Sequence, residues 1–324
     1  MTSPVLELDD DRAARRGLRL FLKRDDLVHP ELPGNKWRKL KHNIGPAREH
    51  GTLLTFGGAY SNHLRAAAAA GKIYGFATIG VVRGEEHLPL NDPLAYAARM
   101  GMRLTYMDRG TYRRKHEPDV IAALRREWGD FYLLPEGGSN ALAVRGCAEL
   151  GAEVPGFDVV CCPCGTGGTL AGLAAGLAPG QRAVGFSVLK GGFMEGEVER
   201  LQRETYGGRR GTWHVEDGFH FGGYAGRTPE LDAFIGDFAE RHGIVLDRIY
   251  TAKMMAGLFA LARRGAFPEG TRILAVLTGR PDGPARRRGT VRLSVRPEAG
   301  RPARPGRRGA GRECRGRWSR PWRA

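Results

Sequence analysis

The hydrophobic pattern of residues 18–278 alternates between two kinds of segment. Short runs rich in apolar and β-branched residues, which predict strands, are separated by longer stretches whose apolar residues recur at helical spacing. Several of the short runs are apolar throughout, as parallel strands buried on both faces are. The predicted strands are 18–23, 53–56, 77–82, 103–107, 131–134, 159–163, 183–188 and 273–278.

The predicted helices fill most of the chain between these strands. Alternation of strands and helices with short connections is typical of parallel sheets covered by helices on both faces. Because 279 residues follow this pattern, two α/β domains, each with a parallel sheet, are favoured over one. The predicted helices are 36–50, 61–74, 93–100, 141–150, 169–177, 229–242 and 254–264.

The net charge of +16 is concentrated at one end of the chain. Residues 280–324 contain 15 arginines, no lysine and three acidic residues. Such a segment, rich also in glycine and proline, buries too little apolar surface to fold, so we predict a disordered tail. The abrupt change after Gly279 suggests a frameshift, with a genuine basic extension as the alternative. Since residues 1–279 are nearly neutral, nucleic-acid binding is not expected.

Neither a membrane span nor an export signal is predicted. No apolar run approaches the roughly 18–20 residues that cross a bilayer, and the N-terminus lacks the apolar region of a secretory signal. A cytoplasmic protein is therefore expected. Three of the five cysteines, Cys161, Cys162 and Cys164, lie in one predicted strand. They are interpreted as buried thiols, with a redox or metal role as the minor alternative.

The first candidate chemical residue is Lys36, which follows a Pro-Gly-Asn turn. Asn35 is predicted to cap the next helix, so Lys36 falls in its first turn. The helix dipole disfavours a cation there and lowers the pKa of the amine, which favours attack on an aldehyde. A surface lysine in a basic turn would show the same local pattern.

The second candidate is the turn at residues 57–63, which we call the anion turn. A strand ends in two glycines, and an alanine-rich helix begins near Ser61. The free N–H groups of such a helix start can bind an anion, here sized for a carboxylate. Ser61 is predicted to serve as a cap, as an acid/base hydroxyl or as both; a plain capped helix is the alternative. His63 is interpreted as a helix-surface or lining residue.

The third candidate is a glycine-rich segment after the strand at 159–163, which we call the glycine cup. Glycines let the backbone approach a phosphate, and threonines add hydroxyl donors. A nucleotide-binding P-loop is excluded by the missing Gly-Lys-Ser/Thr, and a dinucleotide fingerprint by Leu170. One phosphate fits; a turn that merely packs a helix on its strand is the alternative. The cup consists of Gly165, Thr166, Gly167, Gly168 and Thr169.

Taken in order, a nucleophilic lysine, a carboxylate turn and a phosphate cup are the parts of a pyridoxal-5′-phosphate (PLP) enzyme that acts on an amino acid. On these motifs the chain resembles the D-cysteine desulfhydrase / 1-aminocyclopropane-1-carboxylate deaminase family over roughly residues 15–279. The matching segments are KRDDL at 23–27, GNKWRKL at 34–40, GGAYSNH at 57–63, LPEGGSN at 134–140, GTGGT at 165–169, GGY at 222–224, IYTAKMMAG at 249–257 and TG at 278–279.

The resemblance implies two parallel-sheet α/β domains with the tryptophan-synthase-β-like PLP fold, fold type II. The large domain would comprise residues 1–37 and 149–279, and the small domain 38–148, leaving 280–324 as the tail. A homodimer is implied by the resemblance alone.

The resemblance also implies roles for individual residues. Lys36 would hold PLP as a Schiff base, Asn62 would contact its phenolic oxygen, and the cup would hold its phosphate. The substrate carboxylate would be received by Ser61, Asn62 and the backbone of His63. Residues expected around the ring and substrate are the catalytic Tyr250, the substrate-side Tyr224, and Thr251 and Thr278 near the pyridine nitrogen.

The implied activity is that of a lyase, most favourably a D-cysteine desulfhydrase that releases pyruvate, ammonia and sulfide. Threonine at 251 and 278 favours this branch, since the deaminase branch typically has glutamate and leucine there. The alternatives are 1-aminocyclopropane-1-carboxylate deaminase, a lyase or racemase for another D-amino acid, and a catalytically impaired member. Impairment is suggested by Arg280, which stands where the family has the second glycine of Thr-Gly-Gly.

Overall fold

The computed structural model describes residues 1–279, which contain two sheets. The six-stranded sheet has the order β1-β2-β10-β7-β8-β9, and the four-stranded sheet the order β5-β4-β3-β6. All pairs are parallel except the edge pair β1–β2, which is antiparallel. The strands are β1 Val5–Leu8, β2 Arg19–Lys23, β3 Thr52–Gly57, β4 Ala77–Arg83, β5 Arg103–Met107, β6 Tyr132–Leu134, β7 Val159–Cys164, β8 Arg182–Ser187, β9 Thr212–Glu216 and β10 Arg272–Val276.

Helices cover both faces of each sheet, and every sheet has an apolar cluster on either side. The strands β3, β7 and β8 are buried along nearly their whole length, as the continuous apolar runs predicted. The helices are α1 Asp11–Ala14, α2 Asn35–Leu40, α3 Ile44–His50, α4 Asn62–Tyr74, α5 Asp92–Arg99, α6 Arg109–Arg113, α7 Pro118–Trp128, α8 Ala141–Ala152, α9 Gly168–Gly176, α10 Met194–Tyr206, α11 Pro229–His242 and α12 Thr251–Arg263.

The predicted α/β architecture with two parallel sheets is confirmed. The four-stranded sheet uses residues 52–134, inside the segment expected to form the small domain. The domain limits at 37/38 and 148/149 remain predictions. The predicted tail, residues 280–324, lies outside the described residues.

Several elements differ from the sequence prediction. The single helix expected over 36–50 is two helices, α2 and α3, because the chain turns at residues 41–43. Helix α10 was not predicted, although Met194, Val198 and Leu201 bury one face of it at helical spacing. The edge strands β1 and β9, together with α1, α6 and α7, were also missed, because each is short or strongly charged.

The carboxyl ends of three strands carry the candidate chemistry. Strand β3 leads into the anion turn, β7 into the glycine cup, and β10 into Thr278. Ligands of open parallel sheets bind at this edge of the strands. Within residues 1–279 no helix is long and apolar enough to cross a membrane, and no cluster of three or more metal-ligating side chains occurs.

Candidate active site

The loop that carries Lys36 is fixed against the end of β10. Gly34 has φ +65°, a conformation that favours glycine, and its missing side chain makes room for a neighbour. A Cβ at this position would lie 1.8 Å from the carbonyl oxygen of Thr278. The N–H of Asn35 donates to that same carbonyl over 3.2 Å. The helix that carries Lys36 therefore begins from a backbone position set by the six-stranded sheet.

The predicted cap at Asn35 is wrong. Asn35 is the first residue of α2, which starts after Gly34 without a side-chain cap. The Asn35 amide Nδ2 instead donates to Thr169 Oγ1 over 2.9 Å. The asparagine thus ties the start of α2 to the glycine cup, and Lys36 lies in the first helical turn as predicted.

The amine of Lys36 has the electrostatics of a nucleophile. Burial, followed by the nearby Lys39 charge, lowers the pKa of Lys36 to about 7. The side chain is half-buried, and it makes no hydrogen bond or ion pair with residues 1–279. An amine with a pKa of about 7 is partly neutral at pH 7 and, with no partner in this part of the chain, can attack a bound aldehyde.

A buried ion network lies on the side of α2 away from this amine. The Arg38 guanidinium donates to both oxygens of Asp25 at 2.6 and 2.9 Å, and to both oxygens of Glu153 at 2.7 and 2.9 Å. Lys23 adds a second contact to Glu153 at 2.9 Å. Burial alone would lower the pKa of Arg38, but the hydrogen bonds to the carboxylates outweigh it and raise the pKa. The network anchors α2 to the six-stranded sheet.

The glycine cup is a turn that only small residues can form. Gly167 has φ +72° and precedes α9, whose first-turn N–H groups point out of the helix start. A Cβ on Gly168 would lie 2.7 Å from Ser139 Oγ and 3.2 Å from Lys39 Nζ. Because Gly168 has no side chain, hydroxyl and ammonium donors lie close to the backbone of the cup, where together with the N–H groups they can bind an anion.

Lys39 is the main residue of the cup that the sequence analysis missed. Its ammonium group donates to Ser139 Oγ at 2.8 Å, to the Gly137 carbonyl at 3.1 Å and to Thr166 Oγ1 at 3.3 Å. Burial lowers the pKa of this lysine. A signal was present, because a lysine three residues after Lys36 lies on the same face of a helix.

The anion turn forms at the start of α4 as predicted. Ser61 caps the helix, its Oγ accepting from the N–H of Leu64 at 3.2 Å, which leaves the hydroxyl proton free to donate elsewhere. The Asn62 side chain makes no hydrogen bond within residues 1–279. Both side chains are partly exposed and so accessible to a ligand.

His63 is a buried lining residue, with 3% of its surface exposed. Its Nε2 lies 2.8 Å from Thr55 Oγ1, a partner that the sequence analysis did not single out. Its Nδ1 has no hydrogen-bond partner in residues 1–279. Burial first, then the charges of Lys36 and Lys39, keep the pKa of His63 well below its usual range, so the ring is neutral.

Two tyrosines form an aromatic wall against the cup. The Tyr250 ring lies 3.1 Å from where a Cβ of Gly165 would be. Its hydroxyl is 3.3 Å from that of Tyr224, and the two rings meet edge to face with centroids 5.9 Å apart. Burial, followed by Tyr224, raises the pKa of Tyr250, so the Tyr250 hydroxyl stays protonated at neutral pH.

The two threonines expected near the pyridine nitrogen differ in their surroundings. The Thr251 hydroxyl donates to Asp247 Oδ2 at 2.6 Å, and Asp247 also accepts from the N–H groups of Tyr250 and Thr251. Asp247 was not predicted, and its bonds fix the start of α12. The Thr278 hydroxyl makes no hydrogen bond within the described chain. Thr278 is thus better placed than Thr251 to offer a hydroxyl to a ligand.

The residues present fit PLP. A phosphate group would be held by the cup with Lys39, and the aldehyde carbon by Lys36. The partnerless Nδ1 of buried His63 and the unbonded Asn62 amide provide polar atoms that a ligand in this cleft can satisfy. A fold of two parallel α/β sheets with this site defines the fold-type-II class of PLP enzymes.

Comparison with known proteins agrees with this class. The family model described as pyridoxal-phosphate dependent enzyme matches residues 2–279, so the chain belongs to that family. A Pyrococcus furiosus protein provisionally named as a 1-aminocyclopropane-1-carboxylate deaminase is 32% identical, over 81% of this chain and 85% of that protein. A Yersinia enterocolitica D-cysteine desulfhydrase is 32% identical, over 81% and 87%. A solved structure described as an ACC deaminase homologue superposes with a TM-score of 0.74 at 30% identity, covering 86% of this chain and 89% of that one.

The four cysteines of the described region are free and buried, as predicted for the three in β7. Burial raises the pKa of Cys161 to about 12. A thiol held in this form is neither a metal ligand nor a nucleophile at neutral pH.

Proposed function

We propose that this chain is a PLP-dependent lyase for a small amino acid, most favourably D-cysteine. The observation that carries the proposal is that Lys36, the anion turn and the glycine cup lie at the carboxyl ends of β10, β3 and β7, strands that belong to both sheets. These groups supply an amine for an aldehyde, a site for a carboxylate and a site for one phosphate. Relatives of similar identity bear the names D-cysteine desulfhydrase and 1-aminocyclopropane-1-carboxylate deaminase.

Bound PLP supplies an electron sink that stabilises negative charge at the substrate Cα. The chain's own residues bind, orient and exchange protons around that atom. Asn62 would contact the phenolic oxygen of the cofactor ring. The N–H groups at the start of α4 would bind the substrate carboxylate. The Lys36 amine, with its pKa about 7, accepts the Cα proton once it is free, and the Ser61 hydroxyl proton is available for the departing group.

The aromatic wall shields this chemistry from water. The hydroxyls of Tyr250 and Tyr224 face each other beside the cup. We assign Tyr250 a catalytic role as a hydrogen-bond donor to the reacting group, and Tyr224 a role on the substrate side. Of the two threonines, Thr278 has the hydroxyl that can face the cofactor ring, whereas Thr251 bonds to Asp247.

D-cysteine is preferred because residues 251 and 278 are both threonine. Neither residue is the glutamate or leucine that the resemblance associates with the cyclopropane substrate. The deaminase is kept as the second candidate, since several relatives and one similar structure carry that name. Arg280, next to Gly279, supports a third proposal, that the enzyme turns over slowly.

A substrate panel tests the proposal. Purified PLP-loaded protein would be given D-cysteine, L-cysteine and 1-aminocyclopropane-1-carboxylate, with pyruvate, sulfide and 2-oxobutanoate measured separately. We expect sulfide and pyruvate from D-cysteine, and loss of both in Lys36→Ala. Preferential release of 2-oxobutanoate would establish the deaminase instead, and no product from any amino acid would refute the lyase.

We further propose a cytoplasmic homodimer whose large domain comprises residues 1–37 and 149–279 and whose small domain comprises 38–148. The separate four-stranded sheet within residues 52–134 supports the division. Sedimentation equilibrium of the purified chain tests the dimer directly.

A further inference from the structure

The segment between β9 and α11 needs an external support. Phe221, Gly222 and Gly223 all have positive φ, at 47°, 90° and 108°. Phe221 is the one non-glycine residue with positive φ in residues 1–279. Residues with positive φ continue neither a β-strand nor a right-handed helix, so these three residues have no regular backbone hydrogen bonding of their own. The next residue is Tyr224, so the position of the aromatic wall depends on how this segment is held.

Lys253 supplies that support. Its side chain is fully buried in α12, and its ammonium group donates to the Gly223 carbonyl at 2.6 Å and the Tyr224 carbonyl at 3.1 Å. Burying a cation is costly unless it is hydrogen-bonded, and these two carbonyls provide its bonds. Burial lowers the pKa of Lys253 to about 8, with the nearby Asp247 opposing the shift. Charged or neutral, the amine remains a donor to both carbonyls.

The held segment reaches across to the anion turn. The Tyr224 hydroxyl is 3.4 Å from the carbonyl of Tyr60, the residue before Ser61, and 3.3 Å from the Tyr250 hydroxyl. Tyr224 thereby links a loop of the six-stranded sheet to the substrate-binding turn of the four-stranded sheet. A displacement of its backbone would widen the cleft on the side where the carboxylate enters.

We propose that Lys253 is a positioning residue, whose ammonium group fixes the Gly223–Tyr224 backbone so that the Tyr224 hydroxyl closes the cleft over the anion turn. This role rests on the proposed function, because it assigns Lys253 to the same amino-acid site. Lys253 acts only through Tyr224. The lysine is chemically equivalent to Lys36, but its bonds to two carbonyls engage the amine, so it is not a second attachment point for PLP.

The test is a double-mutant cycle on the PLP-loaded full chain. Lys253→Met keeps the length of the side chain and removes its donors; Tyr224→Phe removes the hydroxyl. We expect each to raise KM for the amino acid about tenfold with a smaller fall in kcat, as loss of roughly one hydrogen bond predicts. The double variant should be no worse than the poorer single variant. Lys72→Met, on the exposed face of α4, is the matched control and should keep the wild-type KM.

A second readout needs no turnover. Arg227 is exposed and follows the held segment, so trypsin should cleave after it several-fold faster in Lys253→Met than in wild type or Lys72→Met. If Lys253→Met does not fold, Lys253→Gln, which keeps an amide donor, should show an intermediate rise in KM and in cleavage rate. Unchanged cleavage, a wild-type KM or additive effects with Tyr224→Phe would overturn the role. If no amino acid is turned over, the lyase proposal fails, and the cleavage rates still decide the role of Lys253.

Discussion

The carbonyl oxygen of Thr278 occupies the space that a side chain at Gly34 would need. The distance from an ideal Cβ at residue 34 to that oxygen is 1.8 Å, and the adjacent N–H of Asn35 donates to the same atom. The end of β10 in the six-stranded sheet therefore packs directly against the backbone of the loop before Lys36, with no side chain between them. This contact fixes the start of the helix that carries Lys36.

Gly34→Ala should consequently displace Lys36. The Cβ would clash with the Thr278 backbone, and the φ of +65° would be strained for alanine. We expect loss of cofactor binding and a fall of about 2–4 kcal/mol in the free energy of unfolding, measured in urea. Gly236→Ala is the control, since Gly236 lies inside α11 with open space around it; that variant should be more stable by about 0.5–1 kcal/mol. A Gly34→Ala protein with normal cofactor content would contradict the close fit.

Lys39 should determine how tightly the phosphate is held. Its ammonium group lies beside Thr166 and Ser139 at the cup, so Lys39→Met should weaken PLP binding about 10- to 100-fold, as loss of a charge-assisted bond predicts. The affinity can be measured by fluorescence titration of the cofactor-free protein. Lys41→Met, which loses only the ion pair with Glu149, should bind PLP normally. Equal affinity of Lys39→Met and wild type would remove Lys39 from the phosphate site.

The stability of the cofactor-free protein should depend on pH through Lys36. Its pKa falls from 10.5 to about 7 on folding, so between these values the unfolded chain binds more protons and stability rises with pH. The full difference corresponds to roughly 5 kcal/mol, and screening at this half-buried side chain reduces it to about 1–2 kcal/mol. Urea unfolding at pH 7 and pH 10 should show that Lys36→Met is stabilised at pH 7 and that this advantage shrinks by pH 10. An advantage independent of pH would mean that the amine is not desolvated.

The hydroxyl of Ser61 should matter more for catalysis than for folding. Ser61→Ala loses a cap bond to Leu64, at about 1 kcal/mol, and also the proton that we assign to the reaction. We expect kcat/KM to fall about 10²-fold or more. Thr228→Ala removes a cap bond of the same length from α11 and should lose similar stability with unchanged kinetics. Equal kinetics in the two variants would reduce Ser61 to a cap.

The parts of the site that the sequence predicted are those made by contiguous residues. The turn before Lys36, the cap at Ser61 and the glycine cup each follow from local turn and helix-start chemistry, and all three lie where expected. The alternation of apolar runs likewise predicted both sheets, because parallel strands are buried on each face.

The parts that were missed depend on contacts between distant segments. Lys39 bonds to residues about 100 positions away, and Asp247 bonds to the N–H groups at the start of α12 only because the preceding loop folds back on it. Asparagine is a common helix cap, but here Gly34 occupies the N-cap position and the Asn35 side chain donates to Thr169 instead. These hydrogen-bond partners are determined by tertiary packing, about which a local sequence pattern carries no information.

The covalent attachment of PLP to Lys36 is the central claim, and peptide mapping tests it most directly. The PLP-loaded chain would be treated with borohydride, which fixes the bound cofactor to the lysine that holds it, and then digested and sequenced by mass spectrometry. The structure predicts the label on the peptide containing Lys36, and no stable label in Lys36→Ala. A label on Lys39, Lys72 or Lys253 in the wild-type chain would contradict the assignment of the active site.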